Sequence, residues 1–153
     1  MESDVYILCP ERTAAAATAF LDAVMPRLEA ADVDYPLPQF SDQPAEIIND
    51  VHEVLTRLEN SPCEPYGLHW TSRGEGEPYN CMLFFTKDRA MIAGVVVRDE
   101  AVSDWLVRLA STVGGQHGYV TAEAPPPDTA AEFIECARTW PVPTLFKGEL
   151  RVP

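Results

Sequence analysis

Cys9 has the surroundings that most suit a working nucleophile. It ends the apolar run Val5-Tyr6-Ile7-Leu8-Cys9, precedes a helix-forming stretch, and has Arg12 three residues on. A helix N-terminus and a nearby cation lower a thiol pKa. Two features oppose that reading. The residue six after Cys9 is Ala15, which breaks the spacing of a phosphatase loop, and Glu11 brings a carboxylate that disfavours a thiolate. The competing reading is a packed, inert thiol, because cysteine inside an apolar run behaves as a small hydrophobe. His52-Glu53 opens like a zinc-protease helix, His-Glu-x-x-His, but position 56 is Thr, so the second ligand is missing. His52 then reads as an exposed helical residue. Gly114-Gly115-Gln116-His117-Gly118 lacks the Gly-Lys-Ser/Thr of a phosphate loop and follows a helix rather than starting one. It reads as a turn. The cysteines Cys9, Cys63, Cys81 and Cys136 show no CxxC spacing. These observations predict no catalytic set, no metal and no cofactor.

The carboxylates carry more information. Glu46, Asp50 and Glu53 stand four and three residues apart, which predicts one face of a helix. Like charges at that spacing cost a few tenths of a kcal/mol per pair, a cost that a basic partner relieves. Asp32, Asp34, Asp42, Glu75 and Glu77 add acids in predicted loops, and Tyr66, Trp70 and Tyr79 lie close to the Glu75–Glu77 segment. Aromatic residues beside acids anchor protein interfaces. The predicted partner-binding set is therefore Glu46, Asp50, Glu53, Trp70, Glu75 and Glu77. The alternatives are a solvated helix face for the acids and a packed strand residue for Trp70.

Charge narrows the partners. With 24 acids against 11 bases, the formal net charge is −13. Nucleic acid and anionic membrane surfaces attract lysine and arginine, so both are disfavoured. An acidic surface suits solubility or a basic protein partner. No charged-then-apolar leader opens the chain, and no apolar run reaches the ~18 residues of a membrane span. The expectation is a cytoplasmic protein with reduced thiols.

The elements that must position these residues follow from pattern. At 153 residues, one domain over 1–153 is expected. Tyr79 to Val97 holds two apolar runs around Thr86-Lys87-Asp88-Arg89 and predicts a β-hairpin at the centre of a sheet. Val5 to Cys9 predicts the first strand. Thr13 to Ala31 predicts a helix, kinked or shortened near Met25 by Pro26. Asp32 to Gln39 looks extended. A second helix is predicted from a cap at Ser41 or Asp42, with Ile47, Ile48, Val51, Val54, Leu55 and Leu58 on its apolar face and Asn60-Ser61-Pro62 as its stop. Gly67 to Ser72 predicts a strand, and Arg73 to Pro78 a loop. Together with the hairpin, this strand predicts an antiparallel meander. Val102 to Val113 predicts a third helix with Trp105 in the core and a cap at Gly114-Gly115. Gly118 to Glu123 predicts a strand, and a helix capped at Asp128 or Thr129 runs to Arg138. The tail from Trp140 predicts an irregular arm or edge strand. The whole predicts an α+β fold: a mostly antiparallel sheet with about four helices packed on it.

At this level of build the chain resembles the immunity proteins of bacterial polymorphic toxin systems. The likeness rests on the acidic α+β domain without a catalytic set, Asp34-Tyr35-Pro36-Leu37-Pro38 after the first helix, Phe84-Phe85-Thr86 entering a hairpin turn, and Gly118-Tyr119-Val120 leading to Glu123 and a proline run. The resemblance implies a protein that plugs a toxin's active site or covers its substrate surface. The expected function is stoichiometric occlusion of one cognate toxin, with no enzymatic activity of its own. A toxin that acts on nucleic acid would present a basic cleft to an acidic plug. The alternatives are an adaptor or chaperone that carries an effector to a secretion machine, and a small thiol-dependent enzyme using Cys9.

Overall fold

The apolar stretch at residues 80–98 folds as two neighbouring strands, β6 (Asn80–Phe85) and β7 (Met91–Arg98), paired antiparallel from Asn80–Val96 to Phe85–Met91. Thr86 closes the turn between them. Its backbone N–H donates to Ala90 O at 2.9 Å, and its hydroxyl accepts from Ala90 N–H at 2.8 Å. The two runs lack polar alternation because side chains on both faces of these strands pack into apolar clusters. Cys81, Leu83 and Phe85 face one core cluster, while Met82 and the half-buried Phe84 face another.

The computed structural model describes residues 1–24 and 28–153. Among them, β1 (Glu2–Cys9), β5 (Tyr66–Ser72), β8 (Gly118–Thr121), β9 (Thr144–Phe146), β10 (Glu149–Arg151) and the short β2 (Leu28–Ala30) join the hairpin in an eight-stranded sheet. Its order is β10-β9-β8-β1-β7-β6-β5-β2, with every neighbouring pair antiparallel. The expected meander β5-β6-β7 is present, and β1 inserts between β7 and β8. A separate pair is made by β3 (Tyr35–Leu37) and β4 (Glu46–Ile48). The fold is α+β, as the element pattern predicts.

Three helices cover one face. α1 (Ala14–Val24) buries Ala17, Phe20 and Leu21, α2 (Val51–Asn60) buries Val54, Leu55 and Leu58, and α3 (Val102–Val113) buries Trp105, Leu106 and Leu109. They close over Val5, Ile7, Leu68, Trp70, Leu83, Ala93 and Val95. α3 ends at Gly114, whose left-handed φ of 72° lets its N–H reach Ala110 O. α4 (Ala130–Thr139) lies alone on the other face, against β8, β9 and β1. Arg12 ties the covered layer together. Its buried guanidinium donates to the carbonyls of Leu58, Ser61, Glu64, Thr86 and Ala90 at 2.7–3.2 Å, joining the end of α2 to the hairpin turn. No helix among the described residues is long and apolar enough to cross a membrane.

Two predicted helices start or end elsewhere. The first is helical over Ala14–Val24, and residues 28–30, read with it from the sequence, form β2 beside Trp70–Ser72. The expected kink at Met25 and Pro26 lies outside the described residues. The second begins at Val51 rather than at Ser41 or Asp42. Asp50 adopts extended backbone and its carboxylate accepts the Glu53 N–H at 3.1 Å, which defines the cap there. Ile47 and Ile48 fit a helical spacing but, as adjacent β-branched residues, also fit a strand. The pairing with Pro36 and Tyr35 takes them. The tail forms the edge hairpin β9–β10.

Candidate functional site

The register places side chains of the second face in lateral rows. One row reads Thr71, Asn80, Val96, Asp4, Thr121; the next reads His69, Met82, Gly94, Tyr6, Tyr119; a third reads Gly67, Phe84, Ile92, Leu8. Gly94 is required where it stands, because a methyl group there would lie 2.7 Å from the Tyr6 ring. The Tyr6 ring thereby rests on β7 and bridges the two halves of the face.

α4 covers the β8 side. Phe133 lies 5.0 Å and Trp140 5.3 Å from the Tyr119 ring, centroid to centroid, and Phe133 is fully buried. Thr129 caps α4 through the Glu132 N–H at 3.1 Å, and Asp88 of the hairpin turn accepts the Ala130 N–H at 2.8 Å. Hydrogen bonds from the Thr86 hydroxyl and from the Ala130 and Ala131 amides outweigh the cost of burial and hold the Asp88 carboxyl below its ordinary range.

On the β5–β6 side two cavities open over the sheet and share His69. One, of about 400 Å³, is lined by Glu2, Asp4, Asn80, Met82, Val96 and Glu123. The other, of about 690 Å³, lies between Phe40, Phe84 and the Pro125–Pro127 run. Gln39 holds the Phe40 loop against the sheet: its amide donates to Gly67 O at 2.8 Å, and its carbonyl accepts Gly67 N–H at 2.7 Å. Phe40 itself is 91% exposed on this fixed loop. His69 and Phe84 meet edge-on at 5.5 Å.

Asp4 is the unusual group of this surface. It is a carboxylate only 9% exposed. The Tyr6 hydroxyl contacts Asp4 Oδ2 at 3.2 Å and Ala124 O at 2.9 Å, so one proton serves two acceptors. Burial raises the Asp4 pKa against the Tyr6 hydrogen bond, and the nearby Glu123 and Glu2 raise it further. Burial, followed by the Asp4 charge, also raises the Tyr6 phenol.

The sequence-predicted partner residues separate into different environments. Glu46, Asp50 and Glu53 do line one shallow depression, together with His52 and Arg57. They do not share a helix face, since Glu46 lies on β4 and Asp50 caps α2. Glu46 pairs with Arg57, one oxygen lying 2.9 Å from Nη1, so this depression is partly neutralised from within. Trp70 is 4% exposed and belongs to the core, the packed fate weighed above. Glu77 accepts from Arg98 Nε at 2.7 Å and from Trp105 Nε1 at 3.0 Å, which fastens the 73–78 loop to α3. Those bonds overcome burial and lower the Glu77 pKa. Glu75 is exposed in the same loop.

Cys9 is buried, and burial pushes its thiol up to about 12, far from a thiolate near neutral pH. Arg12, the cation expected to activate it, is committed to backbone carbonyls. Among the described residues no three His, Cys, Asp or Glu side chains are placed to hold a metal ion. Sequence reasoning missed Asp4, His69, Asn80, Phe84 and Phe40. The available signal was an acid two residues before Tyr6 within the first strand, on the opposite face from Val5 and Ile7. In comparisons with protein-family models, curated proteins and solved structures, nothing matches this chain.

Proposed function

We propose that this protein is a cytoplasmic immunity protein that binds one cognate bacterial toxin and neutralises it by occlusion. The supporting observation is the uncovered half of the sheet. A rigid, strand-built surface with an acidic end and an apolar end, rimmed by an exposed phenylalanine on a fixed loop, suits tight binding of another protein. Pre-positioned aromatic anchors reduce the ordering cost of association. The net charge of −13 suits steering of a basic partner, such as a toxin whose cleft engages nucleic acid.

The test is co-expression with candidate toxins from the neighbouring genes. The reading expects growth to be restored and a one-to-one complex to co-elute in size-exclusion chromatography. Persistent killing with both proteins made in soluble form contradicts it. Binding to the secreted toxin outside its toxic domain, without protection, would instead assign the role of a secretion adaptor.

A further inference from the structure

We propose that the open half of the sheet receives a basic extended segment of the neutralised partner, with an arginine or lysine against Asp4 and Glu123 and an apolar side chain on Phe84 beside Phe40. The inference rests on the toxin-binding reading and adds the chemistry of the contact. Three observations carry it.

First, Asp4 is a nine-tenths-buried carboxylate that lines the smaller cavity, and its Oδ2 accepts from the Tyr6 hydroxyl. A guanidinium or ammonium group entering that cavity gives the carboxylate charge-assisted hydrogen bonds stronger than that neutral one. Second, Glu2 and Glu123 stand beside it, while no lysine or arginine lines that cavity. Arg98, opposite Glu2 in the register, is already bound to Glu77. The local charge is therefore uncompensated by the protein itself. Third, the larger cavity shares His69 with the first and is apolar at Phe40, Phe84 and the proline run; Glu64, Asp128 and Lys87 in its lining leave it less negative than the first, where Glu2, Asp4 and Glu123 meet no lysine or arginine. The charge gradient orients the segment, basic end toward Asp4. Asn80 and Phe84 are four residues apart on β6, about 13 Å along the strand, and the two-strand offset to Asp4 makes the diagonal roughly 16 Å. An extended chain covers that distance in four to five residues.

The probe is a blocked hexapeptide with arginine first, phenylalanine last and serines between, compared with the same peptide carrying glutamate first. Each is titrated into the ¹⁵N-labelled protein. The expected result is amide shifts at Tyr6, His69, Asn80 and Met82 for the arginine peptide, and about tenfold weaker binding of the glutamate peptide. Asp4→Asn with Glu123→Gln should weaken the arginine peptide by a similar factor. Glu123→Gln alone, at an exposed residue, serves as the second variant if the double change disturbs the fold. Equal binding of both peptides, or shifts confined to residues 46–57, overturns the proposal. The toxin separates the two levels of the argument. A toxin neutralised equally well by the wild type and the double variant removes this contact and leaves the function. Peptide binding at these amides without protection from any toxin supports the site and removes the function.

Discussion

The two halves of the sheet's second face are built from the same strands and end differently. Under α4 the face is packed: the Phe133 and Trp140 rings both lie tilted against Tyr119, and Asp88 accepts the Ala130 N–H at the start of the helix. Over β5 and β6, Asn80, Val96 and Phe84 are only partly covered, and the buried Asp4 carboxylate shares the Tyr6 hydroxyl proton with Ala124 O. One half uses its side chains to hold the fold. The other keeps a desolvated charge and an exposed ring that do little for the fold. Such a charge is retained at a stability cost, which is the pattern expected of a binding surface.

Substitutions in the two halves should therefore behave oppositely. Phe133→Ala, in the covered half, should cost about 3–5 kcal/mol in urea unfolding, because it leaves a cavity beneath α4. Asp88→Asn keeps an acceptor but removes the negative charge from the start of α4 and should cost about 0.3–1 kcal/mol at pH 7. The folded-state pKa of Asp88 is lowered, so its contribution is complete above the ordinary carboxylate value of 3.8 and is lost as pH falls through the folded value. Unfolding curves of wild type and Asp88→Asn should thus converge on acidification.

Asp4→Asn should go the other way. The folded-state pKa of Asp4 is raised, so the folded protein holds that proton more tightly than the unfolded chain. Its contribution is fully present below 3.8 and lost as pH rises through the folded value. Removing the charge should raise Tm by a few degrees at pH 8, corresponding to up to about 1 kcal/mol, and should leave it unchanged in acid. Phe40→Ser should change stability least, by under about 0.5 kcal/mol, since the ring touches little of its own chain. A large loss at Phe40, or destabilisation by Asp4→Asn at pH 8, would erase the contrast between the halves.

Much of the fold was legible because its signals are local. β6 and β7 are long apolar runs around a polar turn; α3 pairs an amphipathic repeat with a glycine cap; α4 follows a proline run with Thr129 as its cap. The start of α2 was not legible, because Ile47 and Ile48 satisfy both periods, and partner strand β3 decides between them. The site was harder still. Glu46, Asp50 and Glu53 are neighbours, but through a strand, a cap and a helix, and Arg57 answers one of them. Glu77 is engaged by Arg98 and Trp105, a pairing that sequence spacing does not show. Asp4, just before the predicted strand Val5 to Cys9, lies inside β1. Its meaning depends on which half of the face α4 covers, and that is set by long-range packing of Phe133 on Tyr119.

If the proposed toxin partner is found, cross-saturation NMR on the complex addresses the central claim directly, by marking the amides of this chain that the partner shields. Strong transfer is expected at His69, Asn80, Met82 and the residues around Phe40, with the α2 surface at residues 50–57 unaffected. Transfer concentrated on α2, with the open strands silent, would contradict the account.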